Sequence, residues 1–148
     1  MATINQLRSR LTALNVKDVS YHSVEETKEV IEEIQREQMY SGFLSTGLQT
    51  SPLHGRYPGY ADYTIAVKRA KGQVFDRVTL KDEGQFYAGI KTSVTAESFK
   101  TISTDIKSLS LTSYYGEDIF GLNKESKSEY AGKLRPVFIK NVKEKLKL

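Results

Sequence analysis

The first apolar residues of the chain recur at helical spacing. Apolar side chains placed three or four positions apart line one face of a helix. We therefore predict a short amphipathic helix at the start of the sequence. Its apolar positions are Ile4, Leu7, Leu11 and Leu14.

A second helix is predicted from about Val24 to about Tyr40. Ser23 and Glu26 have the spacing of a capping box, which starts a helix, and Ser41-Gly42 is expected to end it. The helix should bury only a narrow face, because glutamates cover the rest. That face is predicted to consist of Val30, Ile31, Ile34 and Gln38.

A β-hairpin is predicted in the second half of the chain. Residues 86–95 and 99–106 are rich in aromatic and β-branched side chains, which favour strands, and residues 95–98 fit the turn between them. Residues 77–80 read as a shorter strand or strand lead-in.

The last third returns to helical patterns. A short helix is predicted over residues 107–115 with Gly116 as its stop. Asn123 is the expected cap of a final helix, and Ser126 with Glu129 offers a second capping site. Gly132 and Pro136 weaken that helix, although proline is tolerated if Pro136 begins a new turn after a kink. Its apolar face comprises Tyr130, Leu134, Val137, Phe138 and Val142, with lysines opposite.

These elements predict an α+β fold in a single domain spanning residues 1–148. A small antiparallel sheet packs against N-terminal and C-terminal helices, and a long ordered loop is inserted at about residues 41–75. A chain of 148 residues with 39% hydrophobic content can bury a real core.

Composition excludes several kinds of chemistry and of location. The sequence has no cysteine, so disulfides, thiolate chemistry and cysteine metal sites are excluded. The first residues lack the layout of a signal peptide, and no apolar run reaches membrane-spanning length. We expect a soluble protein without a membrane partner.

The net charge of +4 is unevenly distributed. Between residues 25 and 37, six acids against Lys28 and Arg36 give −4, and between residues 133 and 147, six bases against Glu144 give +5. Such poles suit head-to-tail contact between copies, or steering toward an anionic partner. Two solvated helix faces are the simpler explanation.

The inserted segment carries the residues that we expect to contact partners. Long ordered loops usually carry function, and tyrosine is favoured at protein interfaces. The tyrosines are equally explained as core residues beneath the loop, and the bases as solubilising charges. The candidates are Tyr57, Tyr60, Tyr63, Lys68, Arg69 and Lys71.

Gly42, Gly47 and Gly84 are predicted to be structural turn residues. Gly84 follows Asp82-Glu83 and is expected to adopt a backbone conformation that a β-carbon would oppose, before a strand that starts at Phe86.

Catalytic patterns are missing from the sequence. His22 and His54 have no carboxylate at metal-ligand spacing, and the serines have no base at a recognisable distance. Gly55 and Gly59 lack the Lys-Ser/Thr that completes a phosphate loop. We expect no catalytic residue, no metal and no cofactor, and hence not an enzyme.

Three blocks occur in an order that resembles a known family. The first is Gln38-Met39-Tyr40-Ser41-Gly42 followed by Gly47. The second is a loop with tyrosines at 57, 60 and 63 leading to the basic stretch 68–72, and the third is the segment 76–86. In this order they resemble tail-completion or virion-morphogenesis proteins of tailed bacteriophages, from about residue 24 to the end. Residues 115–122 followed by a basic helix resemble a branch of such proteins. Glu83 departs from the pattern, which has Thr before the glycine.

The resemblance implies a structural protein of the phage neck that joins head and tail. Copies would form a ring of six between a connector or stopper and a tail terminator or tube protein. The protein would lie in the virion neck, and in the host cytoplasm during assembly. Lys68, Arg69 and Lys71 would then pair with acids of the next subunit or with phosphates of passing DNA.

Other classes stay open. A basic nucleic-acid-binding accessory domain would use the C-terminal helix with Lys68, Arg69 and Lys71 as a phosphate track, and its binding would weaken steeply with salt. A regulatory interaction module or a small toxin-like enzyme would need a concave polar site, which the sequence does not indicate.

Overall fold

The protein has an α+β fold, as predicted, in a computed structural model that describes residues 3–50 and 59–148. Within these residues a two-stranded antiparallel sheet is flanked by N-terminal and C-terminal helices. The α-helices and strands are α1 (Ile4–Thr12), α2 (Val16–Glu26), α3 (Lys28–Tyr40), α4 (Asp62–Ala70), α5 (Gln85–Ala88), β1 (Ile90–Val94), β2 (Phe99–Ser103), α6 (Ser108–Tyr115) and α7 (Lys124–Leu146), and a 3-10 helix, Glu117–Ile119, lies between α6 and α7.

The first helix forms as predicted, but its apolar face is poorly covered. Thr3 accepts a hydrogen bond from the backbone N–H of Gln6, and the Gln6 side chain accepts one in return, so a capping box starts α1. The helix contains no buried residue. Arg10 ties it to the C-terminal helix by donating to the carbonyl of Leu146 at 2.9 Å.

The predicted single helix from residue 24 to 40 is wrong, because two helices occupy this region. Asn15 caps α2 by accepting from the N–H of Asp18, so helix begins well before Ser23. The Ser23 hydroxyl donates to the carbonyl of Val19 at 2.7 Å inside α2, so it is not a cap. The break between α2 and α3 falls at Thr27 instead.

The predicted buried face of α3 is confirmed and is wider than expected. Ile31 and Ile34 are fully buried, Gln38 is buried and Val30 is half-buried. Three further buried side chains of α3 were not predicted, and two of them are polar: Glu32, Gln35 and Met39.

Gly42 ends α3 at the position predicted. Ser41 is the C-cap, and Gly42 follows with a φ of +78°. A β-carbon at Gly42 would lie 2.9 Å from the Cδ of Arg77, so the close approach also requires glycine. Gly47 likewise has a positive φ, of +80°.

Two hydrophobic clusters lie along α3. The first gathers around the end of α3 and comprises Met39, Leu44, Val78, Phe86, Tyr87, Ile90, Tyr115 and Ile119. The second lies nearer its start and comprises Ile31, Ile34, Leu122 and Tyr130. α3 therefore contributes to both clusters.

Two buried glutamines of α3 hold the segment that leads into α7. Gln35 donates to the carbonyl of Ile119 at 3.2 Å and accepts from the N–H of Gly121 at 2.8 Å. Gln38 repeats the arrangement with the carbonyl of Gly121 at 2.9 Å and the N–H of Asn123 at 2.8 Å. Each glutamine amide thus bonds one backbone C=O and one backbone N–H of this segment, as a neighbouring strand would in a sheet.

The hairpin is confirmed, with shorter strands than predicted. β1 and β2 pair antiparallel from Ile90 opposite Ser103 to Val94 opposite Phe99, and Thr95 and Ser98 close the turn. The preceding residues do not extend the first strand. Gly84, at φ +94°, opens the helical turn α5 rather than a strand at Phe86.

The short strand predicted over residues 77–80 does not form. Side-chain hydroxyls take the place of a neighbouring strand here. The N–H of Thr79 donates to the Tyr60 hydroxyl at 2.9 Å, and the Tyr87 hydroxyl donates to the carbonyl of Thr79. Leu80 has a φ of +55°, which no regular strand contains.

The edge of β1 is covered by charged side chains of α3. Glu32 accepts from the N–H of Thr92 at 2.9 Å, and Arg36 donates to the carbonyl of Ile90 at 3.3 Å and to that of Tyr87 at 2.9 Å. Since a free strand edge invites pairing with other chains, these contacts close one side of the sheet.

The last two helices largely follow the prediction. α6 ends at Gly116, with φ +88°, and Asn123 caps α7 by accepting from the N–H of Ser126 at 2.9 Å. The second capping site is wrong. Ser126 lies inside α7, which runs unbroken through Gly132 and Pro136. Pro136 removes one hydrogen bond, and the carbonyl left over belongs to Gly132, an exposed residue.

The inserted segment is not a plain loop in its described part. Gly42 to Thr50 forms a tight reversal with an isolated bridge between Phe43 and Gln49, and residues 62–70 form α4. Residues 51–58 lie outside the described part of the chain.

We expect Gln35→Leu to destabilise the fold by about 2–4 kcal/mol, because a buried donor and a buried acceptor lose their partner. Urea unfolding followed by circular dichroism measures this. Gln49→Leu, the same change at an exposed glutamine, is the matched control and should have little effect. Equal stability of the two variants would contradict the structural role of Gln35.

Candidate functional site

The candidate contact residues cluster on α4 and on the chain that follows it. α4 starts after Ala61 with Asp62 in its first turn and ends with Lys68 and Arg69, an arrangement that suits the helix dipole. Gly72, at φ +65°, turns the chain back toward residues 73–82. This turn brings the basic end of α4 against the segment that contains Thr79.

Tyr60 is a structural residue in this arrangement. Its hydroxyl accepts from the N–H of Thr79 and lies 3.3 Å from the Thr79 hydroxyl, and its ring is half-buried. The side chain therefore fixes the start of α4 to the segment after it.

Lys68 is buried inside the chain and holds α4 in place. Only 6% of the residue is exposed. Its ammonium donates to the carbonyl of Lys81 at 2.6 Å and to the side-chain oxygen of Gln73 at 3.2 Å, and it lies 5.1 Å from the centre of the Tyr60 ring. A lysine with these partners is not free to bind a phosphate.

Lys71 is exposed but also has a partner within the chain. Its ammonium lies 2.9 Å from a carboxylate oxygen of Asp82. The hydrogen bond from Lys71 lowers the pKa of Asp82, with help from Gln73, and the hydrogen bond to Asp82 raises the pKa of Lys71. At neutral pH both groups are charged.

Tyr63 and Arg69 are the predicted contact residues that stay accessible. Tyr63 is 80% exposed on α4. Arg69 is exposed, and its guanidinium lies 4.8 Å from the ring of Phe75. Tyr57, the remaining candidate, lies outside the described residues.

A cleft of about 420 Å³ opens between α4, residues 80–86 and α6. Burial raises the pKa of Tyr115 in its wall to about 12, because the ionised phenolate would be poorly solvated there. Burial also raises the pKa of Tyr87 nearby. The cleft suits an apolar or aromatic side chain. Its lining includes Tyr60, Leu80, Phe86, Leu111, Tyr114 and Tyr115.

A second concave surface was missed by sequence reasoning. It lies between β2 and α6, has a volume of about 590 Å³, and is called the α6 groove below. Ile106 at its edge is 93% exposed and Leu109 is 85% exposed. The apolar residues that line it are Phe99, Ile102, Ile106, Leu109 and Phe120.

The sequence feature that could have predicted this groove is that α6 has more apolar residues than one buried face can hold. Leu111 and Tyr115 point toward the first cluster, and that one face is enough to dock a short helix. Leu109 and Tyr114 are additional apolar residues that the core does not use.

A third apolar surface lies on α1. Ile4 is 84% exposed and Leu11 is 61% exposed, whereas Leu7 and Leu14 are half-buried. The predicted amphipathic face is therefore only partly used within the chain.

Bases of the C-terminal segment pair with carboxylates within the chain, and one of these pairs reaches the acidic segment. Lys140 lies 3.2 Å from Glu26, and Lys145 lies 3.1 Å from Asp18, so α7 pairs with α2. Lys133 pairs with Glu129 on its own helix at 2.8 Å. Half of the six C-terminal bases thus have carboxylate partners.

The described residues hold neither a metal-binding cluster nor a membrane-spanning helix. No cluster of three or more histidine, aspartate or glutamate side chains able to hold a metal occurs in residues 3–50 and 59–148. His22 lies 3.3 Å from Asp18 on the surface of α2, and His54 lies outside the described residues. No helix in the same ranges is long and apolar enough to cross a bilayer.

Comparison of the chain with protein-family models, with curated proteins and with solved structures gives no match.

We expect Lys68→Met to destabilise the fold by about 1–3 kcal/mol, because the carbonyl of Lys81 and the Gln73 side chain lose their donor. Thermal or urea unfolding measures the effect. Lys71→Met removes a charge from the same helix end at an exposed position and should change stability little. If Lys71→Met were the more damaging change, Lys68 would not hold α4.

The ion pair between Glu26 and Lys140 should make stability fall in acid. Hydrogen bonds from Lys140 and Asn141 lower the pKa of Glu26 below its ordinary value of 4.5. The pair therefore stabilises the fold above that value, and the stabilisation is lost as the pH falls through the lower, folded pKa. Glu26→Gln should flatten the dependence of the urea midpoint on pH between about pH 6 and about pH 3.

Glu83→Gln is the control for this titration, since Glu83 is exposed and makes no ion pair among the described residues. A pH dependence unchanged by Glu26→Gln would show that other groups dominate acid unfolding.

Proposed function

We propose that this protein is a structural subunit of a phage-like neck, a tail-completion or head-tail joining protein that assembles into a hexameric ring. Its neighbours would be a connector or stopper on one side and a tail terminator or tube protein on the other. It would act in the virion neck after assembly in the host cytoplasm.

The observation that carries this proposal is the amount of large apolar surface left in water. Ile4 and Leu11 on α1, Tyr63 on α4, and Ile106 and Leu109 at the α6 groove are all largely exposed. Single exposed apolar residues are ordinary, but contiguous exposed groups mark surfaces that bind other proteins. A subunit of an assembly would cover them.

The resemblance to phage proteins supports the same function, and its three blocks pack together. Arg77 of the third block donates to the carbonyl of Tyr40, at the end of the first, at 3.0 Å. Lys68 of the second block holds the carbonyl of Lys81 in the third. The three sequence blocks that carry the resemblance are therefore in contact with one another in this chain.

A role in binding fits the clefts better than a role in catalysis. Lys68, the buried cation of the α4 cleft, is engaged by a carbonyl and an amide oxygen, and the Tyr115 phenol is held protonated. A phenol whose pKa is raised by burial, as that of Tyr115 is, is a poor proton donor near neutral pH.

A basic nucleic-acid-binding accessory domain is the competing proposal. The pairs described above engage Lys68, Lys71 and three bases of the C-terminal segment. This leaves Arg69, Arg135, Lys143 and Lys147 as the more accessible bases for phosphates. We therefore favour the neck assignment.

Purified phage particles provide the direct test. Particles from the phage that encodes this chain should contain it by mass spectrometry, and a gold-labelled antibody should mark the junction of head and tail. Particles made without it should accumulate as separate heads and tails, because the joint cannot close. Adding the purified protein should restore joining.

Absence of the chain from particles, or label on the capsid or the tail tip, would contradict the proposal. So would tight binding of free DNA that weakens steeply between low and moderate salt, which the accessory-domain alternative predicts.

A further inference from the structure

Two apolar surfaces of the chain have complementary shapes. On α1, Ile4, Arg8 and Leu11 follow one another at positions i, i+4 and i+7 and form an exposed row on one side of the helix. The α6 groove is concave and apolar. A row of apolar helix side chains can dock in an apolar groove between two elements.

The charges beside the two surfaces are also complementary. α1 carries Arg8 and Arg10 and no acidic residue. Arg10 is engaged by the carbonyl of Leu146, and Arg8 is exposed without an ion pair among the described residues. The α6 groove is lined by Asp105 and Glu117 together with Lys100, so its charged residues sum to −1.

We propose that the exposed row of α1 docks in the α6 groove of a second copy of this chain. Ile4 and Leu11 would enter the apolar groove, and Arg8 would face Glu117 on its rim. The inference rests on the self-assembly that the proposed function requires, and it names the two surfaces that make the contact.

This contact is heterologous, because each copy offers a helix to one neighbour and a groove to another. Such contacts close into a ring when the rotation between copies allows, and otherwise continue as a filament. A helix of nine residues is only about 13 Å long, so one contact is small. In a closed ring every copy makes this contact with both of its neighbours, and together these contacts would stabilise the ring.

Sedimentation velocity over a wide concentration range tests the proposal. Wild-type protein should self-associate, and Leu11→Asp and Leu109→Asp should each weaken association by about tenfold or more, because a charge would be buried in an apolar contact. Ile139→Asp is the matched control: Ile139 is an exposed apolar residue outside both surfaces. Circular dichroism checks that all variants stay folded.

Mixing the two defective variants separates this contact from a symmetric one. Leu11→Asp keeps an intact groove, and Leu109→Asp keeps an intact helix, so the mixture should form heterodimers that do not grow further. A contact of α1 with α1 would be lost in Leu11→Asp alone, and a contact of groove with groove in Leu109→Asp alone.

A charge exchange tests the orientation. Arg8→Glu and Glu117→Arg should each weaken association, and the double variant should recover most of the loss, because the pair is restored with its signs reversed.

A wild-type protein that stays monomeric at every concentration, or variants that assemble like Ile139→Asp, would overturn the inference. Neither of these two results would decide the neck assignment, which is tested separately by labelling phage particles. Conversely, the protein could self-associate through these surfaces and yet be absent from phage particles. That result would contradict the neck assignment but support the contact between α1 and the α6 groove.

Discussion

The fold depends on polar side chains of one central helix that satisfy the main chain of its neighbours. Glu32 and Arg36 of α3 cover the edge of β1, and Gln35 and Gln38 hold the segment before α7. An unpaired buried backbone group costs as much as a lost hydrogen bond, so these contacts decide where the hairpin and the last helix lie. The hydrophobic clusters near the start and the end of α3 pack against the elements that these contacts hold.

Hydrophobic patterning predicted the elements better than it predicted their joints. The apolar stripe of α3, the hairpin, the glycine stop of α6 and the apolar face of α7 are all readable from spacing. The buried polar residues are not, because Gln35 resembles any solvated residue of a helix until its partner, more than eighty residues away, is known. The prediction that Ser23 caps a helix was wrong for a related reason. A serine hydroxyl inside a helix can donate to the carbonyl four residues earlier, and the sequence pattern of a capping box does not reveal this.

The candidate site divides in the same way. The composition of the inserted segment singled out residues that matter, but the chain uses Tyr60 and Lys68 to anchor α4, which leaves Tyr63 and Arg69 for partners. Leu109 escaped attention because an apolar residue in a helix is normally assigned to the core. Ile106 was assigned to the second strand of the hairpin, whereas it lies between β2 and α6. A short helix can bury only one face, and α6 has more apolar residues than that face can hold. This excess distinguishes a helix with an exposed apolar surface from one whose apolar residues all belong to the core.

The weak attachment of α1 has a mechanical consequence. This helix buries none of its side chains and is tied to the body near its end by Arg10. Elements with so little buried contact open and reclose at low free-energy cost while the remainder stays folded. Any assembly that used α1 as its connecting part would inherit a compliant joint, able to take up differences in curvature without distorting the rigid body behind it.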